Sequence, residues 1–81
     1  MAVNIKMPKW DLAMKEGRIT RWFQNEGDTV DIGDDLFEVK AMHNRARVKA
    51  PVAGKLSQIL IPAGSRVPVK VVVAVLLDVG D

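Results

Sequence analysis

The chain has 81 residues, 48% hydrophobic and 27% charged, with a formal net charge of +2. That is the balance of one small globular domain (residues 1–81) with a modest core, not of a disordered tail. With no cysteine and one histidine, His43, it excludes a disulfide framework, a thiol nucleophile and a protein-built zinc site.

Eight short strands are expected along the chain. They fall near Val3–Met7, Arg18–Phe23, Thr29–Val30, Asp35–Val39, Ala46–Lys49, Lys55–Ile61, Arg66–Val67 and Val71–Leu77. Turn chemistry separates them at Asn25-Glu26-Gly27-Asp28, Asp31-Ile32-Gly33-Asp34, Pro51-Val52-Ala53-Gly54 and Pro62-Ala63-Gly64-Ser65. Trp10–Lys15 is too short and uncapped for a helix and reads as a loop. The run Val71–Leu77 is too short to span a membrane, and no charged-then-apolar leader opens the chain. A cytoplasmic protein without a membrane partner is expected. Aromatics make up 5% with no tyrosine, which argues against a base-stacking surface and a nucleic-acid partner.

An internal repeat organises these strands. Gly17–Lys40 aligns without gaps on Gly54–Leu77, an offset of 37 positions. Gly27 falls on Gly64, Ile19 on Leu56, Val30 on Val67, Ile32 on Val69, Leu36 on Val73 and Val39 on Leu76. Each half alone would leave its apolar face wet. Two four-stranded halves packed face to face about a quasi-twofold axis solve that problem and make a monomer the expected state. The expected fold is therefore all-β, a flattened barrel or sandwich of two four-stranded antiparallel sheets. The halves are linked by a hairpin, Ala41-Met42-His43-Asn44. The offset maps His43 onto Lys6 and Gly80, so the hairpin tip should stand at the end opposite the termini.

These residues resemble the lipoyl domain of 2-oxo acid dehydrogenase acyltransferases, and more broadly the biotinyl/lipoyl carriers with their barrel-sandwich hybrid fold. Met7-Pro8-Lys9-Trp10-Asp11-Leu12-Ala13-Met14-Lys15-Glu16-Gly17 is similar to their M-P-K-x-G-x-x-M-x-E-G opening, and a Trp after P-K resembles the acetoin dehydrogenase type. Trp22 through Val30 resembles W-x-x-x-E-G-D-x-V, and Ile32 through Val39 resembles x-G-D-x-L-x-E-I. Ala50-Pro51-Val52-Ala53-Gly54 and Val67-Pro68-Val69 complete the pattern over essentially the whole chain.

The resemblance implies a non-enzymatic swinging-arm domain carrying lipoate, or as runner-up biotin, on a lysine at the hairpin tip. Its implied partners are the decarboxylase and dihydrolipoamide dehydrogenase components of the complex, and a lipoate ligase. The family's spacing puts that lysine at His43. Ala41-Met42 resembles the biotinyl A-M-K with its lysine replaced. An imidazole cannot form the stable amide of a lysine, so modification at His43 is expected to be absent, and an unmodified interaction module is the rival reading. Lys40 is a lesser candidate, because it continues a strand pattern that a one-residue slip would turn inside out.

Other residues carry weaker signals. His43 could act as a pH-sensing tip, since a free imidazole changes charge near neutrality, or be a plain turn residue. Lys40, Arg45, Arg47 and Lys49 make the tip basic where the family usually carries acids at positions 40 and 42. They read either as an altered partner surface or as charges paired across strands. In the loop that the resemblance puts beside the tip, Trp10 with Asp11 is either an interface anchor or a cover for the core. Met7, Met14 and Met42 could form a soft-metal set but read better as filling. Of Trp22 and Phe23, one should face inward, and the sequence leaves open which.

Overall fold

Side chains that alternate between apolar and polar need a sheet with one covered face, and the chain supplies two such sheets. A computed structural model describes residues 1–78. It holds β1 (Ala2–Lys6), β2 (Glu16–Trp22), β3 (Thr29–Val30), β4 (Asp35–Ala41), β5 (Asn44–Lys49), β6 (Gly54–Ile59), β7 (Arg66–Pro68) and β8 (Val72–Asp78). The first sheet runs β1-β8-β6-β3 and the second β5-β4-β2-β7, with every pairing antiparallel. The all-β sandwich of two four-stranded sheets expected from the sequence is the observed fold, but the repeat halves are not the sheets: β3 of the first half joins β6 and β8, and β7 of the second joins β2 and β4. All eight expected strands are present, and Trp10–Lys15 is a turn-rich loop.

The inner faces meet in one core. Ile19, Leu36, Phe37, Val39, Leu56, Val73, Ala74 and Leu76 are fully buried, and among the described residues no polar side chain is buried. Trp22 packs on this core, with its ring 4.6 Å from that of Phe37 and its indole N–H donating to the Ile61 carbonyl at 3.0 Å. Phe23 instead lies between the Arg21 and Arg47 guanidiniums, 5.0 and 5.2 Å from its centroid. Trp22 is thus the inward member of the pair. Met7 and Met14 are buried core residues while Met42 is exposed, so the three make no set.

The quasi-twofold extends to individual hydrogen bonds. Ile19 N donates to Ser65 O at 3.0 Å, and its mate Leu56 N donates to Asp28 O at 2.8 Å. Gly64 N reaches Ile19 O, and Gly27 N reaches Leu56 O. Bulges recur too: the β2–β4 register shifts between Ile19 and Arg21, and the β6–β8 register between Leu56 and Gln58. Strand alternation fails in the same way in both halves, with Leu36 and Phe37 consecutively buried in one and Val73 and Ala74 in the other. Gly80, the second position onto which the repeat maps His43, lies outside the described residues.

Two positions in the repeat test backbone conformation directly. Gly33 has φ 88°, and its mate Lys70 has φ 70°, a left-handed angle that costs a side-chain-bearing residue about 1 kcal/mol. The Gly17 and Gly54 pair is constrained sterically instead. A Cβ on Gly17 would come within 2.7 Å of Val39 Cγ1 and 2.9 Å of Met7 Sδ. A Cβ on Gly54 would collide with the Leu77 carbonyl, which is rigid backbone.

Chemical denaturation checks both points. Lys70→Gly should stabilise by about 0.5 kcal/mol, whereas Gly33→Lys should cost about 1 kcal/mol. Gly54→Ala should cost about 3 kcal/mol, because neither the strand nor its partner can give way.

Candidate functional site

The β4–β5 hairpin closes through two residues, Met42 and His43. Ala41 pairs directly with Asn44, so both strands run closer to the tip than the sequence indicates. Met42 has φ 58° and His43 is not among the residues with positive φ. A positive angle at the first central residue alone is the pattern of a II′ turn, where glycine is the usual occupant. Both tip residues are exposed, Met42 at 54%. Ala41 just below them is buried at 5%, which pins the hairpin to the body.

The tip stands far from Met1 and Asp78. β4 begins at Asp35, beside a turn whose Gly33 N donates to Ala50 O. That end of the molecule also holds Val30 paired with Gly54, Gly54 paired with Asp78, and Asp78 N bonded to Met1 O. Seven residues of β4 then carry the chain about 20 Å to the tip. The long axis of the molecule is 37 Å.

At the tip end the loop after β1 is held down by Met7 and Met14, both packed beside Gly17 and Val39. Trp10 is half-buried and packs against the core. Asp11 makes a local turn, its Oδ1 accepting from Ala13 N at 2.8 Å. Lys40 lies between buried Val39 and Ala41, so it faces outward from the sheet.

The four basic residues near the hairpin separate into two groups. Arg47 donates to Asp35 Oδ2 at 3.0 Å, and Lys49 lies 3.6 Å from Oδ1 of the same carboxylate. That Oδ1 is buried and accepts no hydrogen bond, so the Lys49 ammonium is its compensation. Arg47 and Lys49 therefore belong to a cross-strand cluster away from the tip. Lys40 and Arg45 face each other across β4 and β5 with no acid between them.

The structure adds residues that sequence reasoning missed. An open groove of about 360 Å³ runs beside the tip, lined by Glu16, Arg18, Lys40, Ala41, Met42 and Arg66. Arg18 and Arg66 come from β2 and β7, far from the hairpin in sequence. The β2–β4 register brings Arg18 there and the β2–β7 register brings Arg66, and no local motif signals either. No cluster of acids and histidines able to hold a metal occurs among the described residues.

Comparison with known proteins agrees with this geometry. A biotin/lipoyl family model, described as "Biotin-requiring enzyme", matches residues 3–76. The dihydrolipoyllysine-residue acetyltransferase component of the acetoin cleaving system of Pseudomonas putida is 34% identical over 93% of the chain and 20% of its own length. That of Cupriavidus necator is 38% identical over 91% of the chain and 20% of its own length. The corresponding component of the pyruvate dehydrogenase complex of Rickettsia bellii is 35% identical over 100% of the chain and 20% of its own length. The chain thus spans about a fifth of these relatives. Among solved structures, a single-chain, multi-domain long-chain acyl-CoA carboxylase superposes with a TM-score of 0.80 at 19% identity, over 99% of this chain and 7% of that one, which shows the shared fold. The chain belongs to the biotin/lipoyl family.

Proposed function

We propose that the chain is a lipoyl-type carrier domain of the acyltransferase component of a 2-oxo acid or acetoin dehydrogenase complex, with His43 at the attachment position. The observation that carries this reading is the exposed two-residue turn at the end opposite the termini, in a chain of this family. A group mounted there would stand clear of the body and of the end where Asp78 N meets Met1 O. The relatives' names and the fifth of their length that matches support a module within a larger acyltransferase. On this reading the domain does no chemistry itself. Its partners are the decarboxylase and dihydrolipoamide dehydrogenase components, and a lipoate ligase in maturation.

Lipoate and biotin are each held by an amide to a lysine amine. Residues 41–44, Ala-Met-His-Asn, offer no such amine. The nearest lysine in sequence, Lys40, faces outward from β4 below the turn. The residues present do not fit the covalent group, and no acyl-transfer step follows from them. The Ala41-Met42 pair favours biotin as the second reading of what the position once held.

Intact mass of the chain from a host with active lipoate and biotin ligases, beside His43→Lys, tests the proposal. The original should keep its unmodified mass, and the variant should gain one lipoyl or biotinyl group, which names the cofactor. A modified original chain would put the cargo on another lysine. If neither chain gains mass, the carrier reading fails and an unmodified interaction module takes its place.

A further inference from the structure

The strand register lines up four cations. Arg45 is opposite Lys40, Lys40 is opposite Arg18, and Arg18 is opposite Arg66. Directly opposed residues in antiparallel strands share a face. All four are exposed, so the row crosses the outer face of the second sheet with one cation per strand. Strands lie about 4.8 Å apart, which gives a strip about 14 Å long. Three of its members are guanidiniums, which match carboxylates in two-pronged geometry. Lys40, Arg18 and Arg66 line the groove beside the tip.

Like charges placed directly opposite each other oppose folding, so the row needs a cause. The fold does not supply one. The quasi-twofold provides an internal control, because the equivalent row on the first sheet is Ala2, Leu77, Lys55 and Thr29. The same backbone is built there with one cation in place of four. Nor do the chain's own acids pair with the row: Glu16 lines the same groove but, among the described residues, makes no ion pair with it. Asp28 and Asp34 accept from Asn25 N and Asp31 N within their turns, and Glu26 accepts from Ile59 N. Glu38 accepts from the Thr20 hydroxyl, and Asp35 holds Arg47 and Lys49. Among the described residues none of the four cations has an acid partner.

We propose that this strip docks an extended acidic peptide segment of a partner protein, with carboxylates at alternate positions. Three such carboxylates in a strand-like segment span about 13 Å, the length of the row. The strip is one row wide. Glu16 lies on the same face of β2 on one side, and Glu38 borders it on the other. A narrow chain fits between these acids, whereas the broad phosphate array of a duplex or a lipid surface would press on them. No aromatic side chain lies in the row to stack a base. The inference is independent of the carrier reading, because it needs no modification of the tip.

Titration of the isotopically labelled 81-residue chain with a Glu-Ser-Glu-Ser-Glu peptide, read by amide shifts, tests it. Saturable shifts should centre on residues 18, 40, 45 and 66, and added salt should weaken them. The double variant Arg18→Glu, Arg66→Glu should bind at least about tenfold more weakly. Lys55→Glu, on the matching row of the first sheet, should leave binding unchanged. Arg18→Gln with Arg66→Gln supplies a neutral pair in which weakened binding is also expected, and a dispersed spectrum checks its fold. Equal binding by the charge-reversed chain, or shifts that follow Lys55, would overturn the proposal. So would tighter binding at the same residues by a thymidine oligonucleotide or by phosphatidylglycerol vesicles.

Discussion

Neither sheet of this chain can face water on both sides, and that constraint governs everything else in the structure. Ile19, Phe37 and Val39 on one inner face and Leu56, Val73 and Leu76 on the other are buried only because the two faces close on each other. Burying a side chain of this size contributes on the order of 2 kcal/mol, so a sheet that parted from its mate would lose its main source of stability. Closure has to bring two four-stranded sheets together within 81 residues. The chain does so by using the same solution twice. Crossing hydrogen bonds from Ile19 and Leu56, glycine turns at 27 and 64, and bulges at matched positions all recur with the repeat.

That repetition is why so much of the fold was legible in the sequence. Gly17 aligned with Gly54, and Gly27 with Gly64, because the backbone demands the same thing at both places. The first pair has no room for a Cβ, and the second sits at positive φ. Apolar spacing then fixed which residues face inward. It failed where the strands bulge. Alternation gives no reason for Leu36 and Phe37 to be buried side by side, and the register shift between Asp35 and Phe37 is a tertiary feature. Lys70 hid its positive φ behind an ordinary side chain, although its mate Gly33 carried the signal. Trp22 and Phe23 could not be ordered in advance, because their difference lies in the Phe37 ring and the Ile61 carbonyl, both remote in sequence.

The candidate site was legible to a different degree. The hairpin tip followed from the repeat and from the family's spacing, and its basic character followed from composition. Which cations act together did not. Lys40, Arg45, Arg47 and Lys49 looked like one cluster because they are close in sequence. Register divides them, sending Arg47 and Lys49 to Asp35 and joining Lys40 and Arg45 to Arg18 and Arg66. A linear reading weighs neighbours along the chain, while a sheet assembles neighbours across it.

Fold and function therefore occupy separate surfaces of the same strands. On β4, Val39 and Ala41 face the core and Lys40 faces out, so one strand serves stability and recognition through alternate residues. The inner positions tolerate little change, because they are buried in one shared core. The tip and the outer rows face solvent, where substitutions usually alter stability by less than about 0.5 kcal/mol. An exposed tip residue such as His43 can therefore vary without disturbing the sandwich, and one outer row can carry four cations while its symmetry mate carries one. A scaffold whose two halves stabilise each other from within is free to differ on its outer faces. It is on that difference, not on the fold, that the chain's specificity for partners has to rest.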